Sequence, residues 1–472
     1  MNRATWDGDI VAGNGDAAAG DTAVLGESRR SPAEVLAAPW LERSGILDRY
    51  REVRRLTELL AAPLSAEDQT VQTMPDVSPT KWHRAHVSWF FETFLLAPYL
   101  PGYEEHHPAF AYLFNSYYEA AGARYPRPAR GLVSRPGVSE VAAYRRHVDE
   151  GMFRLLERPL DERATFLVEL GLQHEQQHQE LMLMDVKHVL SMSPLDVRYI
   201  APGAAGPAGQ AGRQVSPAGQ AGRQVSPAGQ AGPGEELAWV HHEAGEVRVG
   251  HAGSGFAFDN EGPSHMASLV AFDVADRSVT CAEWLAFIDD GGYSRPELWL
   301  SDGWATAVAQ GWQAPLYWQC DGGEWTVFTL SGKRPVDPDE PVCHVSYYEA
   351  DAFARWAGAR LPTEIEWEAV VSDRPVAGRF LDPSGLHPLP QSRPAFYGDV
   401  WVWTASAYLP YPGFRPWPGA VGEYNGKFMV NQHVLRGGSC ATPVGHIRPT
   451  YRNFFPPQAR WPFTGLRLAR DA

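Results

Sequence analysis

The sequence predicts an α+β protein in which a four-helix bundle at the amino-terminal end is followed by an irregular α+β domain. Four long segments among the first 200 residues repeat their apolar side chains at helical spacing, with few signals for strands. From about residue 235 the chain becomes rich in Gly and Trp, and its helical segments become short. A chain of 472 residues also exceeds what one core usually fills, so we expect two domains.

Low-complexity segments mark the expected domain boundaries. Residues 1–32 are small and polar and predict a disordered terminus, so we assign the bundle to residues 33–200. Residues 201–234 consist mainly of Ala, Gly, Pro and Gln, and from residue 211 they contain one decapeptide twice in tandem. Because such a repeat cannot bury a core, it predicts a linker or loop insertion. Residues 235–472 then form the second domain.

The helices are predicted from apolar periodicity and from signals at their ends. In the bundle they are expected at residues 46–60, 78–94, 139–156 and 162–191. The second of these opens at Ser78-Pro79, with Ser78 as N-cap and Pro79 in the first helical position. In the second domain a hydroxyl residue followed three positions later by Glu predicts three more helix starts, at Thr280/Glu283, Ser346/Glu349 and Thr363/Glu366.

Charge and cysteine usage exclude several classes of partner. The net charge is −15 and there is no sustained run of Lys or Arg, which argues against a nucleic-acid or anionic-membrane partner. No segment approaches the roughly 20 apolar residues needed to cross a bilayer. The four cysteines are scattered without metal-binding spacing, and no export signal is evident at the amino terminus, so we expect a cytoplasmic protein.

One stretch of the fourth helix has the pattern of a metal site. His174 and His178 are four residues apart and therefore share one helical face, with Gln177 flanking it. The same stretch has the His-Glu-x-x-His form of zinc peptidases, in which Glu175 would be the general base. A third peptidase ligand is missing, because Met184 stands where a further His would be needed. Two surface histidines without a metal are the remaining alternative.

A third ligand is expected from another helix of the bundle. His83 and His86 lie in the second helix, whereas His106 and His107 lie in a probable loop. His86 is favoured because the aromatic residues around it predict a largely buried helix, in which a polar imidazole needs a partner. Asp185, two turns after His178, would instead complete a site of two histidines and one carboxylate. Three neutral imidazoles suit iron(II), zinc or copper, and the residues do not choose among these metals.

Three amino-terminal pieces, residues 78–86, 114–119 and 174–178, resemble the DinB-like domain of the ergothioneine-biosynthesis sulfoxide synthases, the EgtB family. The second half is similar to the formylglycine-generating-enzyme domain of the same enzymes, a fold related to C-type lectins. The pieces that carry this similarity are residues 258–261, 344–350, 360–368, 402–404, 435–439, 451–457 and 465–468. The resemblance covers about residues 40–470, and the order of the two domains is more specific than either motif.

The resemblance implies a mononuclear non-haem iron(II) bound by His86, His174 and His178. It implies an O2-dependent reaction that joins the sulfur of cysteine or γ-glutamylcysteine to C2 of the imidazole of hercynine and forms a sulfoxide. Gln177 matches the family position that hydrogen-bonds the substrate imidazole. Asn453 matches the position near the carboxylate and ammonium end of that substrate.

The family also uses a tyrosine that delivers a proton to oxygen during the reaction, and in one branch a Tyr-Tyr pair has this role. Tyr117 and Tyr118 match that pair. Tyr408 and Tyr411, in a later loop, are competing candidates. Ordinary packing is the alternative reading of two adjacent tyrosines.

The tail of the chain bears on the sulfur donor. The branch that uses γ-glutamylcysteine has an Asp two residues after the Asn, whereas this chain has Phe455, so the resemblance favours free cysteine. Arg452 and Arg460 are candidates to pair a substrate carboxylate. Aromatic faces such as those of Phe454 and Trp461 would favour a quaternary ammonium.

Several other functions are compatible with parts of the chain. A selenoneine-type synthase that joins a selenosugar to hercynine would share the fold, as would an ovothiol-type synthase. A formylglycine-generating enzyme would need paired cysteines near the carboxyl end, where Cys440 stands alone. A non-catalytic lectin-like binding protein would leave the bundle histidines without a purpose, and a DinB-type thiol transferase would leave the second domain unexplained.

Overall fold

A computed structural model describes residues 45–195, 197–199, 237–383, 385–391 and 394–472. It consists of a helical region followed by a region of short strands and helices, which confirms the predicted α+β class. The predictions of a disordered terminus at 1–32 and of a linker at 201–234 lie outside the described residues.

Helices α1 to α6 of the helical region are Ile46–Ala61, Thr80–Phe91, Ala97–Tyr99, Phe110–Phe114, Val138–Leu156 and Glu162–Ser191. A π-helical segment, Glu92–Leu96, continues α2. The four long helices α1, α2, α5 and α6 begin and end within about three residues of the predicted bounds. Helix α6 packs along α1 and α2, and α2 also packs against α5. The predicted bundle therefore forms, and α6 packs against two of its other long helices.

The predicted N-cap of the second helix is wrong by one residue. Helix α2 begins at Thr80, and Pro79 rather than Ser78 occupies the cap position. The amide of Ser78 donates to Asp185 Oδ2 at 2.8 Å, and its hydroxyl accepts from Arg130 Nη1 at 2.9 Å. Ser78 is therefore used to attach the start of α2 to α6 and not to cap the helix.

The second region contains fourteen short strands within the described residues. Strands β1 to β14 are Trp239–His242, Gly245–Val249, His265–Leu269, Phe272–Ala275, Trp318–Asp321, Glu324–Thr329, Gly332–Pro335, Gly378–Arg379, Tyr397–Gly398, Trp401–Ala407, His433–Arg436, Asn453–Phe455, Thr464–Gly465 and Ala469–Asp471. They form small sheets in the orders β1-β4-β14, β12-β11-β10-β13, β2-β3, β5-β6-β7 and β8-β9.

Helices α7 to α11 of this region are Cys281–Asp289, Ser301–Gln310, Tyr347–Trp356, Glu364–Val371 and Glu423–Gly426. The three predicted capping boxes are confirmed at the starts of α7, α9 and α10, where Thr280, Ser346 and Thr363 each accept from the amide of the Glu three residues later. Short 3-10 segments lie at Glu119–Ala121, Arg127–Leu132, Asp259–Glu261, Gly292–Ser294, Pro296–Leu298 and Ala420–Gly422.

Strand β12 forms an edge of the sheet that approaches the helical region. It pairs antiparallel with β11, with Leu435 opposite Asn453 and His433 opposite Phe455. The opposite edge is made by the parallel pairing of β10 with β13. The residues of β12 are only partly buried, so their side chains can face a cavity.

Glu180 on α6 fixes this sheet region to the bundle. Its carboxylate accepts from Trp401 Nε1 at 2.7 Å, Ser439 Oγ at 2.5 Å and Thr442 Oγ1 at 2.7 Å. Burial raises the pKa of Glu180, and these three donors partly offset that effect. None of the helices in the described part of the chain is both long enough and apolar enough to cross a membrane.

Candidate functional site

A cavity of about 280 Å³ lies between the helical region and strand β12. His86 from α2 and His174 and His178 from α6 line it together with Gln177. The other side of the cavity is formed by residues of the second region, including those of β12. The cavity is thus built from both halves of the chain.

The three histidines predicted as metal ligands come together in the structure. Each of His86, His174 and His178 offers one ring nitrogen, and these atoms lie within 4.8 Å of one another. The ring centroids of His174 and His178 are 4.6 Å apart, and that of His86 is 5.0 and 4.7 Å from them. The helical spacing explains the first pair, and the packing of α2 on α6 brings in the third ligand.

Hydrogen bonds orient two of the three rings. His86 Nδ1 donates to the carbonyl of Phe114 at 2.5 Å, which leaves Nε2 free. His178 Nδ1 is 2.9 Å from His83 Nδ1, and His83 Nε2 is 3.0 Å from Asp185 Oδ2. Since a carboxylate only accepts, His83 donates to Asp185 and accepts from His178, so His178 also keeps Nε2 free. His83 and Asp185 therefore orient a ligand and do not belong to the triad.

The triad fits a metal ion. His174 makes no hydrogen bond to any described residue, and its Nδ1 is buried without a partner. Burial lowers the pKa of His174 to about 4, and burial and the neighbouring His174 hold the pKa of His86 well below its usual value. Neutral imidazoles with free lone pairs are the form that binds a metal, so these three residues could hold one.

Glu175 does not occupy the position that the zinc-peptidase pattern requires. It points away from the cavity into the bundle, where it is paired with Arg54 at 2.9 Å and Arg145 at 3.1 Å and accepts from Thr57 at 2.7 Å. Burial alone would raise the pKa of Glu175, but the two guanidinium groups outweigh it and lower the pKa to about 2. A carboxylate held in this way cannot act as a general base at the triad.

The two adjacent tyrosines line the cavity with different surroundings. The hydroxyl of Tyr117 accepts from Arg127, whereas the hydroxyl of Tyr118 has no hydrogen-bond partner among the described residues. The Tyr118 ring packs 5.6 Å from Trp89, which stacks on His86 at 5.5 Å. Burial raises the pKa of Tyr118 far above its ordinary value, so its hydroxyl keeps its proton at neutral pH.

The competing tyrosines are not among the cavity-lining residues. The hydroxyl of Tyr408 accepts from Asn260 Nδ2 at 2.8 Å, and its ring stacks on Phe454 with centroids 4.1 Å apart. The hydroxyl of Tyr411 accepts from Arg436 Nη2 at 2.9 Å. Their hydroxyl groups are thus held by the protein.

The predicted substrate residues of the tail lie on the cavity wall. Asn453, Phe454 and Phe455 all line it. Gln177 Nε2 donates to the hydroxyl of Tyr451 at 2.8 Å, and its oxygen has no donor among the described residues. Asn453 Oδ1 accepts from the amide of Phe454, which leaves its side-chain amide nitrogen available to a ligand.

Arg452 and Arg460 have protein partners instead of open positions. Arg452 donates through Nε and Nη2 to Glu364 at 2.9 Å and through Nη1 to the carbonyl of Asn260 at 2.9 Å. Arg460 donates to Glu349 at 2.9 Å and is not among the residues that line the cavity. Pairing of either arginine with a substrate carboxylate stays a prediction that this geometry does not favour.

The cavity wall also contains two arginines that were not predicted from the sequence, Arg127 and Arg130. Arg130 donates to the hydroxyls of Ser78 and Ser116 at 2.9 and 3.0 Å, and its guanidinium lies 3.4 Å above the Trp82 ring centre. Neither arginine has a carboxylate within ion-pair distance in the described part of the chain. Burial and the neighbouring Arg127 lower the pKa of Arg130 to about 9. They lie three residues apart in the 3-10 segment Arg127–Leu132, and no local signal in the sequence indicates that they reach a cavity.

Comparisons with known proteins agree with this architecture. A family model described as the sulfatase-modifying factor enzyme 1-like domain matches residues 225–380 and 395–472. A hercynine oxygenase of Mycolicibacterium thermoresistibile is 35% identical over 431 residues, which cover 84% of this chain and 88% of that protein. A hercynine oxygenase of Mycolicibacterium smegmatis is 33% identical over 432 residues, which cover 85% of this chain and 92% of that protein.

A more distant relative is named ergothioneine biosynthesis protein 1 in Schizosaccharomyces pombe. It is 28% identical over 232 residues, which cover 46% of this chain and 28% of that protein. The alignments with the two Mycolicibacterium proteins instead cover 84% and 85% of this chain, which includes parts of both the helical and the strand-containing regions. This confirms the family resemblance that the sequence motifs predict, and the chain belongs to the hercynine oxygenase family.

Proposed function

We propose that the protein is a non-haem iron(II), O2-dependent sulfoxide synthase of ergothioneine biosynthesis, which joins the sulfur of cysteine to C2 of the hercynine imidazole. The observation that carries the proposal is the triad of His86, His174 and the partly buried His178, which lines a cavity that is completed by residues of the second region. A binding protein without a reaction would gain nothing from three neutral imidazoles with free nitrogens, two of them buried.

The reaction balances without a further reductant. The thiol, the imidazole C2–H and O2 give the sulfoxide and one water molecule. The S–H and C–H bonds break and a C–S bond forms. One oxygen atom goes to sulfur, and the other leaves as water with both hydrogens. Iron(II) bound by the triad would activate dioxygen and favour the ionised thiol. His83 and Asp185, together with the carbonyl of Phe114, keep the ligand nitrogens directed at the metal position.

Gln177 and an aromatic wall are the proposed binding groups for hercynine. The free oxygen of Gln177 can accept the imidazole N–H. The aromatic wall consists of Tyr117, Tyr424, Phe428 and Phe454, with ring centroids of neighbours 4.8 to 6.2 Å apart. Aromatic faces attract a quaternary ammonium through their quadrupoles, so this wall suits the trimethylammonium group.

Arg127 and Arg130 are the proposed partners of the cysteine carboxylate. They are cationic, they line the cavity, and no carboxylate of the described residues is within ion-pair distance of either, whereas Arg452 is bound to Glu364. Phe455 supplies no charge for a glutamyl ammonium, which favours free cysteine over γ-glutamylcysteine.

Tyr118 is the proposed proton donor. Its hydroxyl is uncharged, lines the cavity and has no protein acceptor within the described ranges, so its O–H is available to reacting oxygen. The hydroxyl of Tyr117 is held by Arg127 and serves to position that arginine.

We also propose that the chain is divided into domains at residues 33–200 and 235–472, and that the protein is cytoplasmic.

Turnover by the reconstituted protein tests the function. The protein is loaded anaerobically with iron(II), mixed with hercynine and cysteine, and exposed to O2, and the products are identified by mass spectrometry. We expect the hercynyl-cysteine sulfoxide with iron(II) and none with zinc(II), because zinc does not undergo redox chemistry.

Two results would contradict the proposal. One is a lack of any sulfoxide under iron loading that matches one ion per chain. The other is turnover of a selenosugar with hercynine while cysteine does not react, which would favour the selenoneine-type alternative. Replacing cysteine by γ-glutamylcysteine in parallel reactions tests the choice of sulfur donor.

A further inference from the structure

A chain of hydrogen bonds extends from Gln177 to the carboxylate of Glu169, two turns earlier on α6. Gln177 Nε2 contacts the hydroxyl of Tyr451 at 2.8 Å, and that hydroxyl contacts His446 Nε2 at 3.1 Å. His446 Nδ1 contacts Gln173 Oε1 at 2.8 Å, and Gln173 Nε2 donates to Glu169 Oε1 at 3.0 Å. None of these groups except Gln177 has a role in the proposed reaction.

The Glu169 end of the chain fixes the direction of every hydrogen bond in it. Arg49 binds Glu169 through two nitrogens at 2.7 and 2.8 Å, so Glu169 is a carboxylate that only accepts. Gln173 must therefore turn its NH2 group to Glu169 and its oxygen to His446. Arg448 Nη1, at 3.4 Å from the same oxygen, favours that orientation as well.

The orientation of the Gln173 amide determines the directions of the remaining hydrogen bonds. His446 donates from Nδ1 to Gln173, and burial with the nearby Arg448 keeps the pKa of His446 well below its usual value, so Nε2 is an acceptor. The Tyr451 hydroxyl then donates to His446 and accepts from Gln177. Gln177 must use its NH2 group for that bond, which leaves its oxygen toward the cavity.

We propose that Tyr451 and His446 are positioning residues that lock the Gln177 amide with its oxygen facing hercynine, so that the site selects an imidazole with an N–H at that point. This rests on the proposed function, because it specifies how the same site distinguishes its substrate. Without the lock the amide could rotate by half a turn and present a donor instead. A ligand that lacks the N–H would then be accepted about as well.

Binding of hercynine and of an isostere tests the lock. The isostere is the thiazole analogue, in which a sulfur atom stands in place of the ring N–H. We expect the metal-loaded wild-type protein to bind hercynine roughly tenfold more tightly than the analogue by calorimetry, because the analogue leaves the Gln177 oxygen unpaired. In Tyr451→Phe this ratio should fall below about threefold, while the KM for cysteine stays unchanged.

Two further variants make the result specific. His446→Leu removes the acceptor of the Tyr451 hydroxyl and should also reduce the ratio, which provides a second test if Tyr451→Phe folds poorly. Tyr144→Phe removes another buried phenol, one that donates to Glu92 at 2.5 Å in the bundle, and should leave the ratio at its wild-type value.

The outcomes separate the lock from the proposed function. If the wild-type protein forms the sulfoxide and prefers hercynine, but folded Tyr451→Phe and His446→Leu keep the full ratio, the lock is wrong and the function stands. If the wild-type protein neither binds hercynine nor forms the sulfoxide, the proposed function itself fails. A ratio that falls in Tyr144→Phe as well would also overturn the lock, since the effect would then follow from any lost buried phenol.

Discussion

Helix α6 carries two adjacent residues, His174 and Glu175, whose surroundings are opposite. Glu175 faces the bundle interior, where two guanidinium groups and a hydroxyl satisfy its carboxylate. His174 faces the cavity side, and its ring has no hydrogen-bond partner among the described residues. Because burial without a partner costs free energy, the saturated face contributes to stability, and the unsaturated face is the one that awaits a ligand.

The same contrast distinguishes the arginines near the cavity. Arg452 gives its donors to Glu364 and to backbone carbonyls, whereas Arg130 donates hydrogen bonds to hydroxyls only and keeps Nε buried without a partner. Saturated groups should therefore affect unfolding when they are changed, and unsaturated groups should affect ligand binding and turnover. Substitutions of saturated groups and of unsaturated groups can therefore test this division.

The largest effect is expected for His174→Ala. It removes one ligand of the triad, so we expect stoichiometric iron binding to be lost and sulfoxide formation to fall at least about 1000-fold, beyond the 10- to 100-fold typical for residues that only orient a ligand. Metal analysis and product assays measure both quantities. His188→Ala is the control, because His188 lies on the same helix but contacts Thr73. Iron retained at one ion per chain in His174→Ala would refute the assignment of the triad.

Glu175→Gln should act on stability instead. It leaves Arg54 and Arg145 buried beside a neutral amide, so the free energy of unfolding at pH 7 should fall by about 3–5 kcal/mol. Turnover per folded, metal-loaded molecule should remain near the wild-type value. Glu297→Gln, which breaks an exposed ion pair with Arg295, should not move the urea midpoint. Lost turnover in folded Glu175→Gln would break the division between the two faces.

The stabilising contribution of Glu175 also has a defined pH range. The folded-state pKa of about 2 is lower than the ordinary value of 4.5, so the contribution is fully present above pH 4.5 and is lost as the pH falls toward 2. That shift corresponds to about 3 kcal/mol. The free energy of unfolding, measured with urea, should therefore decrease less from pH 7 to pH 3.5 in Glu175→Gln than in the wild-type protein. Equal losses in both would exclude a depressed pKa.

Tyr118→Phe tests the free hydroxyl on the unsaturated side. Loss of a proton donor in the cavity should reduce sulfoxide formation about 100-fold and should raise the share of cysteine oxidised at sulfur alone. Tyr103→Phe is the matched control, since its hydroxyl donates to Glu92 at 2.7 Å outside the cavity. A wild-type rate and product ratio in Tyr118→Phe would exclude Tyr118 as the donor and return Tyr117 to consideration.

The amount that the sequence could predict also differs between the two regions. The helices follow from local periodicity, so the predicted bounds of α1 and α6 agree with the structure almost to the residue. The three predicted capping boxes are confirmed because each is a contact between residues only three positions apart. The N-cap of α2 was wrong because Ser78 has a partner 107 residues away. The sheets could not be predicted, since their strands are only two to seven residues long and, except in β5-β6-β7, pair over long separations.

The candidate site divides in the same way. His174, Gln177 and His178 follow from helical spacing, and His86 from the need of a buried imidazole for a partner. Arg130 and Tyr451 were not predicted, because nothing in the local sequence reveals which side chains reach a cavity. Whether an arginine is free or bound, as in Arg130 and Arg452, depends on contacts that only the folded chain creates.

The smallest effect is expected for Phe455→Asp, which adds a charge to the cavity wall. A carboxylate on β12 would give a glutamyl ammonium the partner that Phe455 does not provide, so the ratio of kcat/KM for γ-glutamylcysteine to that for cysteine should rise about tenfold. Phe455→Asn distinguishes the effect of the added charge from the effect of removing the ring. It also removes the ring but adds no charge, so it should change the ratio by less than about threefold. Competition assays with both thiols present measure the ratio directly. If Asp and Asn raise it equally, steric access at β12 and not charge limits the donor.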